Sequence, residues 1–246
     1  MHLPDGFLGD GPSFGLIAVA VAALSVAVNR AKKSFFARVK VLQQKFATES
    51  NIGSFDVSVQ TRLTKYGQSQ IAKMAVIGSF VFATQMINLP VLPGVSGHLI
   101  GGVLAAAVLG PSLGLIVIAS VLIVQSVFFA DGGLLALGAN IINMGLVGSV
   151  FGYWLAFYLR KTFKSKRGFS IAIFMASWCV VVVAALLASI EISLSGTASL
   201  KEIIPPMLKS HVLIGLLEAV ITTVVLLLLK KQGMKLHFFL KKKDEL

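Results

Sequence analysis

Seven long apolar runs divide the chain and restrict what it can fold into. A helix needs about 20 predominantly apolar residues to span the hydrocarbon core of a bilayer. Hydrophobic residues make up 56% of the 246 residues, and the mean hydropathy is +0.88. The sequence therefore predicts an all-α, polytopic membrane protein that forms a single transmembrane domain over residues 1–246, with about seven transmembrane helices. The predicted spans lie near 13–29, 72–88, 99–110, 113–130, 135–159, 169–192 and 211–229.

The third run, 99–110, is short for a complete crossing and ends at Gly110-Pro111-Ser112. Proline removes a backbone donor and favours a helix start, so this tripeptide predicts a break between two helices. Residues 99–130 are therefore either a tight helical hairpin or a re-entrant pair. In both cases the two ends emerge on the same side of the membrane.

Basic residues predict the orientation of the spans. Of the 22 Lys and Arg residues, 20 fall within 30–73, 160–167 and 230–243, which alternate spans place on one face. The positive-inside rule assigns that face to the cytoplasm, with the amino terminus outside and the carboxyl terminus inside. Topology and lipid contact then account for the net charge of +12, and we expect no nucleic-acid partner.

Two of the predicted cytoplasmic segments carry further sequence patterns. In the loop 30–71, basic residues alternate with apolar ones, which predicts either a basic amphipathic helix on the inner leaflet or a solvated linker, with 49–53 as loop. The basic tail 231–246 ends in Lys-Asp-Glu-Leu, the spelling of an endoplasmic-reticulum retrieval signal. That signal is read in a lumen, so we interpret it here as coincidence.

The chain opens Met1-His2, which is a potential metal chelate. The terminal amine, the peptide nitrogen of His2 and its imidazole Nδ1 can close two fused chelate rings around one ion. Deprotonated peptide nitrogen suits Cu(II) and Ni(II), and suits Zn(II) or Mg(II) poorly. This predicts a metal-binding segment over residues 1–12. Taken singly, Met-His is a weak signal, because histidine can simply follow an initiator methionine.

Three further histidines are available. His98 follows a turn rich in proline and glycine and begins a helix at the predicted outer face, where it could supply a fourth nitrogen. His211 opens the last predicted span, where an N-terminal cap or interfacial role is as good an interpretation as metal ligation. His237 lies among predicted cytoplasmic lysines and is interpreted as a solvated residue or one that contacts lipid headgroups.

Polar residues in or near the apolar runs need partners. Asn88, Asn140 and Asn143 could hold the amino-terminal segment or orient His98, and helix-to-helix hydrogen bonding is an equal alternative. Glu218 lies two turns beyond His211, where it could accept a proton or pair with that histidine.

Two acidic positions are not predicted to take part in a functional site. The sequence Asp131-Gly132-Gly133 is interpreted mainly as a plain turn between helices. Glu191 lies near an outer helix end, where it can reach interfacial water and has no assigned role.

Four sequence blocks together resemble the CbiM and NikM family, the substrate-binding components of energy-coupling-factor cobalt and nickel transporters. The resemblance extends over residues 1–230, except for 30–71. The blocks are Met-His-Leu-Pro-Asp-Gly-Phe-Leu at 1–8, residues 85–91 with 96–102, residues 130–140 continuing through 143–145, and His211 with Glu218.

The resemblance implies seven helices, an external amino terminus folded into the centre, and a metal held by Met1, His2 and His98. It implies transport without enzymatic activity or a cofactor, because Co(II) or Ni(II) is the substrate. The implied partners are a transmembrane coupling protein and two cytosolic ATP-binding subunits, with a small accessory membrane subunit as a further candidate. The implied location is a prokaryotic plasma membrane. Which of the two metals is carried stays open.

Rival classes fit the sequence less well. An intramembrane metalloprotease is the main alternative, but no His-Glu-x-x-His occurs and no three metal ligands share a motif. A channel or secondary transporter would favour paired broken helices in two matching halves, which are not apparent. The chain also has no Gly-x-x-x-x-Gly-Lys-Ser/Thr phosphate loop, so it cannot power transport itself.

Overall fold

Helices make up most of the described chain. The computed structural model describes residues 2–44, 55–87, 89–92, 95–165 and 167–237. The sequence predictions for Met1, Asn88, the loop 49–53 and residues 238–246 fall outside these ranges. The helices are α1 Asp10–Phe35, α2 Lys65–Gln85, α3 Gly102–Leu109, α4 Pro111–Phe128, α5 Leu137–Asn140, a π-helical segment Ile141–Phe151, α6 Gly152–Thr162, α7 Gly168–Leu194 and α8 Leu200–Lys231.

Each predicted apolar run corresponds to a helical stretch. The run 135–159 corresponds to three elements, α5, the π-helical segment and α6, which follow one another without a break. Five stretches of the described chain are long and apolar enough to cross a membrane, which makes this a multi-pass membrane protein. They are Asp10–Phe35, Pro111–Phe128, Leu137–Thr162, Gly168–Leu194 and Leu200–Lys231. The total of about seven crossings and the outside amino terminus stay predictions.

Residues 99–130 form a helical hairpin with one short arm. Gly110, with a φ of +89°, ends α3, and Pro111 occupies the first turn of α4. All eight residues of α3 are buried, yet eight residues give a helix of only about 12 Å. Because α3 cannot cross the bilayer, the non-helical residues before it lie within the bundle.

The loop 30–71 differs from the helical sequence interpretation. Strands β1 (Phe36–Gln44) and β2 (Phe55–Leu63) pair antiparallel, from Phe36 opposite Leu63 to Gln44 opposite Phe55. The amphipathic helix is therefore wrong for these residues, whereas the solvated linker stays a prediction. The cause is visible in residues 57–61, Val-Ser-Val-Gln-Thr, whose period-two alternation of β-branched residues favours a strand.

A second small hairpin makes the all-α prediction too strict, although the fold is mainly helical. Strands β3 (Leu89–Leu92) and β4 (Val95–Gly97) pair antiparallel between α2 and α3. This hairpin precedes His98, so it leads the chain back toward the bundle just before that residue.

Glycines allow the helices to approach closely. A Cβ on Gly102 would collide with the backbone of Gly148, so α3 lies directly against the π-helical segment. A Cβ on Gly138 would likewise collide with the backbone at Ile17, which brings α5 against α1. Close backbone approach at small residues is a common mode of helix association in membranes. It places α5 beside the start of α1, where the amino-terminal segment enters.

Candidate metal centre

The amino-terminal segment, residues 2–8, is inserted into the helical bundle. His2 is 4% exposed and Leu3 is fully buried. The backbone N–H of Leu3 donates to Oδ1 of Asn140 over 2.9 Å, and Nδ2 of Asn140 donates to the carbonyl of Leu3 over 3.2 Å. Of the two sequence interpretations for Asn140, the structure matches the one in which it holds this segment.

The sequence Asp131-Gly132-Gly133 is more than a plain turn, because it receives the amino-terminal segment. The backbone N–H of Gly133 donates to the carbonyl of Leu3 over 2.9 Å. The Asp5 carboxylate accepts from the backbone N–H groups of Leu134 and Leu135 over 3.1 and 2.8 Å. A side chain on Gly133 would collide with Asp5, so this close approach requires glycine. Sequence reasoning gave Asp5 no role.

His2 and His98 lie next to each other in the interior. Their ring centroids are 4.4 Å apart with the planes tilted by 48°, and His98 is 1% exposed. Nδ1 of His2 lies 2.9 Å from Oδ1 of Asp131, although the two are not aligned for a hydrogen bond. Nε2 of both histidines is buried without a hydrogen-bond partner among the described residues. The structure therefore brings two predicted ligand residues together.

Burial lowers the pKa of both imidazoles. Desolvation lowers the pKa of His2, partly opposed by Asp131, and it lowers the pKa of His98 well below its ordinary value. Nδ1 of His98 lies 2.7 Å from the carbonyl oxygen of Leu99, which assigns the ring proton to Nδ1. The lone pair is then on Nε2, the tautomer that suits a metal ligand.

Glu218 fixes the backbone that follows His98. Its two carboxylate oxygens accept from the backbone N–H groups of Ile100 and Gly101, each over 2.9 Å. Nε2 of Gln85 donates to the carbonyl of Ile100 over 2.8 Å, so the loop is held from α2 and α8 together. The interpretation in which Glu218 pairs with His211 is wrong, because the seven positions from His211 to Glu218 correspond to about 10 Å of helix and the carboxylate binds the loop instead.

His211 is fully buried in α8. Its Nδ1 lies 2.8 Å from the carbonyl oxygen of Met207, and its Nε2 has no hydrogen-bond partner in the described part of the chain. The cap interpretation is wrong, because α8 begins at Leu200, three turns earlier, while the interfacial role stays a prediction.

Two remaining candidates lie outside this cluster. Nδ2 of Asn143 donates to Oε2 of Glu191 over 2.7 Å, which is the helix-to-helix alternative, so Glu191 has a partner that the sequence did not suggest. His237 is partly buried rather than solvated, with Nδ1 3.0 Å from the hydroxyl of Tyr153.

The donor set of the centre is unusual for a side-chain metal site. Within the described ranges, no three His, Cys, Asp or Glu residues form a group that could hold a metal ion. A four-nitrogen site here would therefore need backbone or terminal nitrogens in addition to the two imidazoles. Met1, which would supply the terminal amine, lies outside the described residues.

The fold and this buried pair of imidazoles define a class: a multi-pass membrane protein whose amino-terminal segment is docked inside its own helical bundle. Residues 53–236 match the family model described as "Cobalt uptake substrate-specific transmembrane region". The chain belongs to this family.

Relatives and a solved structure agree with that assignment. The chain is 38% identical over 224 residues to the putative fused nickel transport protein NikMN of Archaeoglobus fulgidus, covering 90% of this chain and 63% of that protein. It is 27% identical to the probable fused nickel transport protein LarMN of Lactiplantibacillus plantarum, covering 94% and 65%. The chain thus spans less than two thirds of either relative. The crystal structure of a transition metal transporter superposes with a TM-score of 0.76 at 28% identity, covering 96% of this chain and 95% of that one.

Proposed function

We propose that this protein is the substrate-binding component of an energy-coupling-factor transporter that takes up Co(II) or Ni(II). The observation that carries the proposal is the contact between His2 and His98, two buried imidazoles with ring centroids 4.4 Å apart, in which Nδ1 of His2 and Nε2 of His98 have no hydrogen-bond partner in the described chain. Burying such polar atoms without partners is costly, and coordination of a metal ion offsets that cost.

The proposed coordination uses four nitrogens. The terminal amine of Met1, the peptide nitrogen and Nδ1 of His2, and Nε2 of His98 would surround one ion in a plane. Nδ1 of His2 now faces Asp131, so chelation requires a rotation of this ring that exchanges the carboxylate for the ion. Binding also releases the proton of the peptide nitrogen, so affinity should rise with pH. Planar nitrogen ligation favours Ni(II) over Co(II).

The protein binds the ion and does not perform chemistry on it. In the proposed complex, a transmembrane coupling protein and two cytosolic ATP-binding subunits, with a small accessory membrane subunit as a further candidate, drive the change that passes the ion inward. The proposed topology has residues 1–12 outside and 231–246 in the cytoplasm of a prokaryotic cell. A metalloprotease is disfavoured, because a catalytic zinc normally takes three protein ligands and no three His, Cys, Asp or Glu side chains of the described residues form such a group.

The test is a calorimetric titration of the detergent-purified protein, with an untagged amino terminus, by Ni(II) and by Co(II). A second version carries one extra residue before Met1, which removes the terminal amine from its position and leaves every side chain in place. We expect tight one-to-one binding that is lost in the extended version, with Ni(II) bound more tightly than Co(II). Equal affinity in the two versions would exclude the terminal chelate.

A further inference from the structure

A cavity of about 530 Å³ lies at the opposite end of α1 from the metal centre. The part of α1 that lines the cavity, residues 30–34, lies about 20 residues after α1 begins, which corresponds to about 30 Å of helix. The floor is formed where α3 ends and α4 begins. The lining residues are Arg30, Ala31, Lys33, Ser34, Tyr66, Leu109, Gly110, Pro111, Ser112, Leu113 and His237.

The polar part of the cavity is suited to an anion. Arg30 and Lys33 both line it, and no Asp or Glu is among its lining residues in the described chain. The first turn of α4 also contributes, because its backbone N–H groups begin at the cavity wall with Ser112. Two cations beside a helix amino terminus, with no acidic neighbour in the wall, give a positive potential that favours a phosphate group.

The rest of the wall is apolar, which narrows the ligand to an amphiphile. Leu109, Pro111 and Leu113 come from the α3–α4 hairpin, and Ala31 comes from α1. Both α1 and α4 are long and apolar enough to cross a membrane, and the cavity lies where α1 ends and α4 starts. It is therefore at the level where lipid headgroups meet acyl chains. A free inorganic anion would gain no binding energy from the apolar part of the wall.

We propose that this cavity binds the phosphate-bearing headgroup of an anionic phospholipid. Arg30 and Lys33 pair with the phosphate, and the apolar wall receives the glycerol backbone and the first methylenes of the acyl chains. Basic pockets between membrane helices on the cytoplasmic side are typical sites for anionic headgroups, and the predicted topology places the cavity on that side. The bound lipid would join α1 to the α3–α4 hairpin.

The experiment is native mass spectrometry of the full-length protein, delipidated in detergent and titrated with phosphatidylglycerol or phosphatidylcholine. The test variant is Arg30→Gln/Lys33→Gln. The matched control is Lys161→Gln/Lys231→Gln, which removes two exposed cations from the same predicted face but outside the cavity. Each protein is first checked for an unchanged thermal unfolding midpoint, so that lost binding is not lost folding.

We expect the wild type to bind its first phosphatidylglycerol about thirtyfold more tightly than phosphatidylcholine, since each of the two basic residues contributes about fivefold near an anionic headgroup. The test variant should lose this preference, and the control should keep it within about twofold. Equal phosphatidylglycerol affinity in test variant and wild type would overturn the proposal. Displacement of the lipid by inorganic phosphate at millimolar concentration would assign the cavity to a soluble phosphate instead, and would overturn the lipid assignment.

Discussion

Asn140 binds the backbone of Leu3 through both groups of its side-chain amide. Oδ1 accepts from the Leu3 N–H over 2.9 Å, and Nδ2 donates to the Leu3 carbonyl over 3.2 Å. The two bonds give Leu3 the partners that a neighbouring β-strand would otherwise provide. They also fix the chain one residue after His2, so the position of that imidazole depends on a residue in α5.

Replacing Asn140 with Leu should weaken Ni(II) binding. The change keeps the approximate volume and leaves the N–H and carbonyl of Leu3 buried without the amide. Since residues that orient metal ligands are typically worth 10- to 100-fold in affinity, we expect a loss of about that size by calorimetry.

Asn143→Leu is the matched control for this prediction. It removes the same kind of side chain from the same helical stretch, but its partner is Glu191 rather than the amino-terminal segment. We expect the thermal unfolding midpoint to fall while Ni(II) affinity changes by less than about threefold. A similar loss of affinity in both variants would mean that Asn140 acts through general stability.

Glu218→Gln should lower affinity through the loop that carries His98. The carboxylate accepts two backbone hydrogen bonds, whereas an amide offers one oxygen and turns a donor toward the second N–H. Losing a charge-assisted bond to a buried partner costs about 1.5–3 kcal/mol, so we expect about a tenfold or greater loss. Glu202→Gln, at an exposed residue near the start of the same helix, should leave affinity unchanged.

His98→Ala should weaken Ni(II) binding by about 100-fold or more, because it deletes a proposed ligand rather than a residue that supports one. His237→Ala should have no effect on affinity, since His237 lies beside Tyr153 and lines the cavity near the other end of α1. Calorimetry of the two variants in parallel provides the comparison. A larger loss in His237→Ala than in His98→Ala would reverse the proposed topology.

Gly133→Ala should displace the amino-terminal segment. The added methyl group would collide with Asp5, and overpacking of this kind costs about 1–3 kcal/mol. Metal affinity should fall, and limited proteolysis within residues 1–9 should become faster. Gly11→Ala adds the same methyl group where nothing lies within 4 Å, so it should change neither. Unchanged proteolysis in Gly133→Ala would contradict the docking described here.

The helical stretches were predictable because length and hydropathy fix membrane helices, and the contact between His2 and His98 was anticipated from the sequence blocks that contain them. The start of α8 was not, because Pro205 and Pro206 lie inside its first turns, and a proline pair normally marks the end of a helix or a position before its start. Because the predicted span began at residue 211, His211 was assigned to the start of a helix, whereas it lies three turns inside α8.

The partners of Glu218 were not predictable for a different reason. The carboxylate binds N–H groups 117 and 118 positions away in the chain, and no local pattern reports contacts at such a separation. The hairpin in residues 36–63 was missed because alternating basic and apolar residues fit a helix face or a strand almost equally well over so few residues.

The docked amino-terminal segment also sets an order for folding. Leu3 is joined to a residue 137 positions later, and Phe7 accepts a hydrogen bond from Thr197, 190 positions later. Ribosomes make the chain from its amino terminus, so the earliest residues synthesised wait for a docking surface that is completed only when α8 begins to emerge. Contacts this distant in sequence form late, so the proposed metal centre should be among the last parts of the protein to mature.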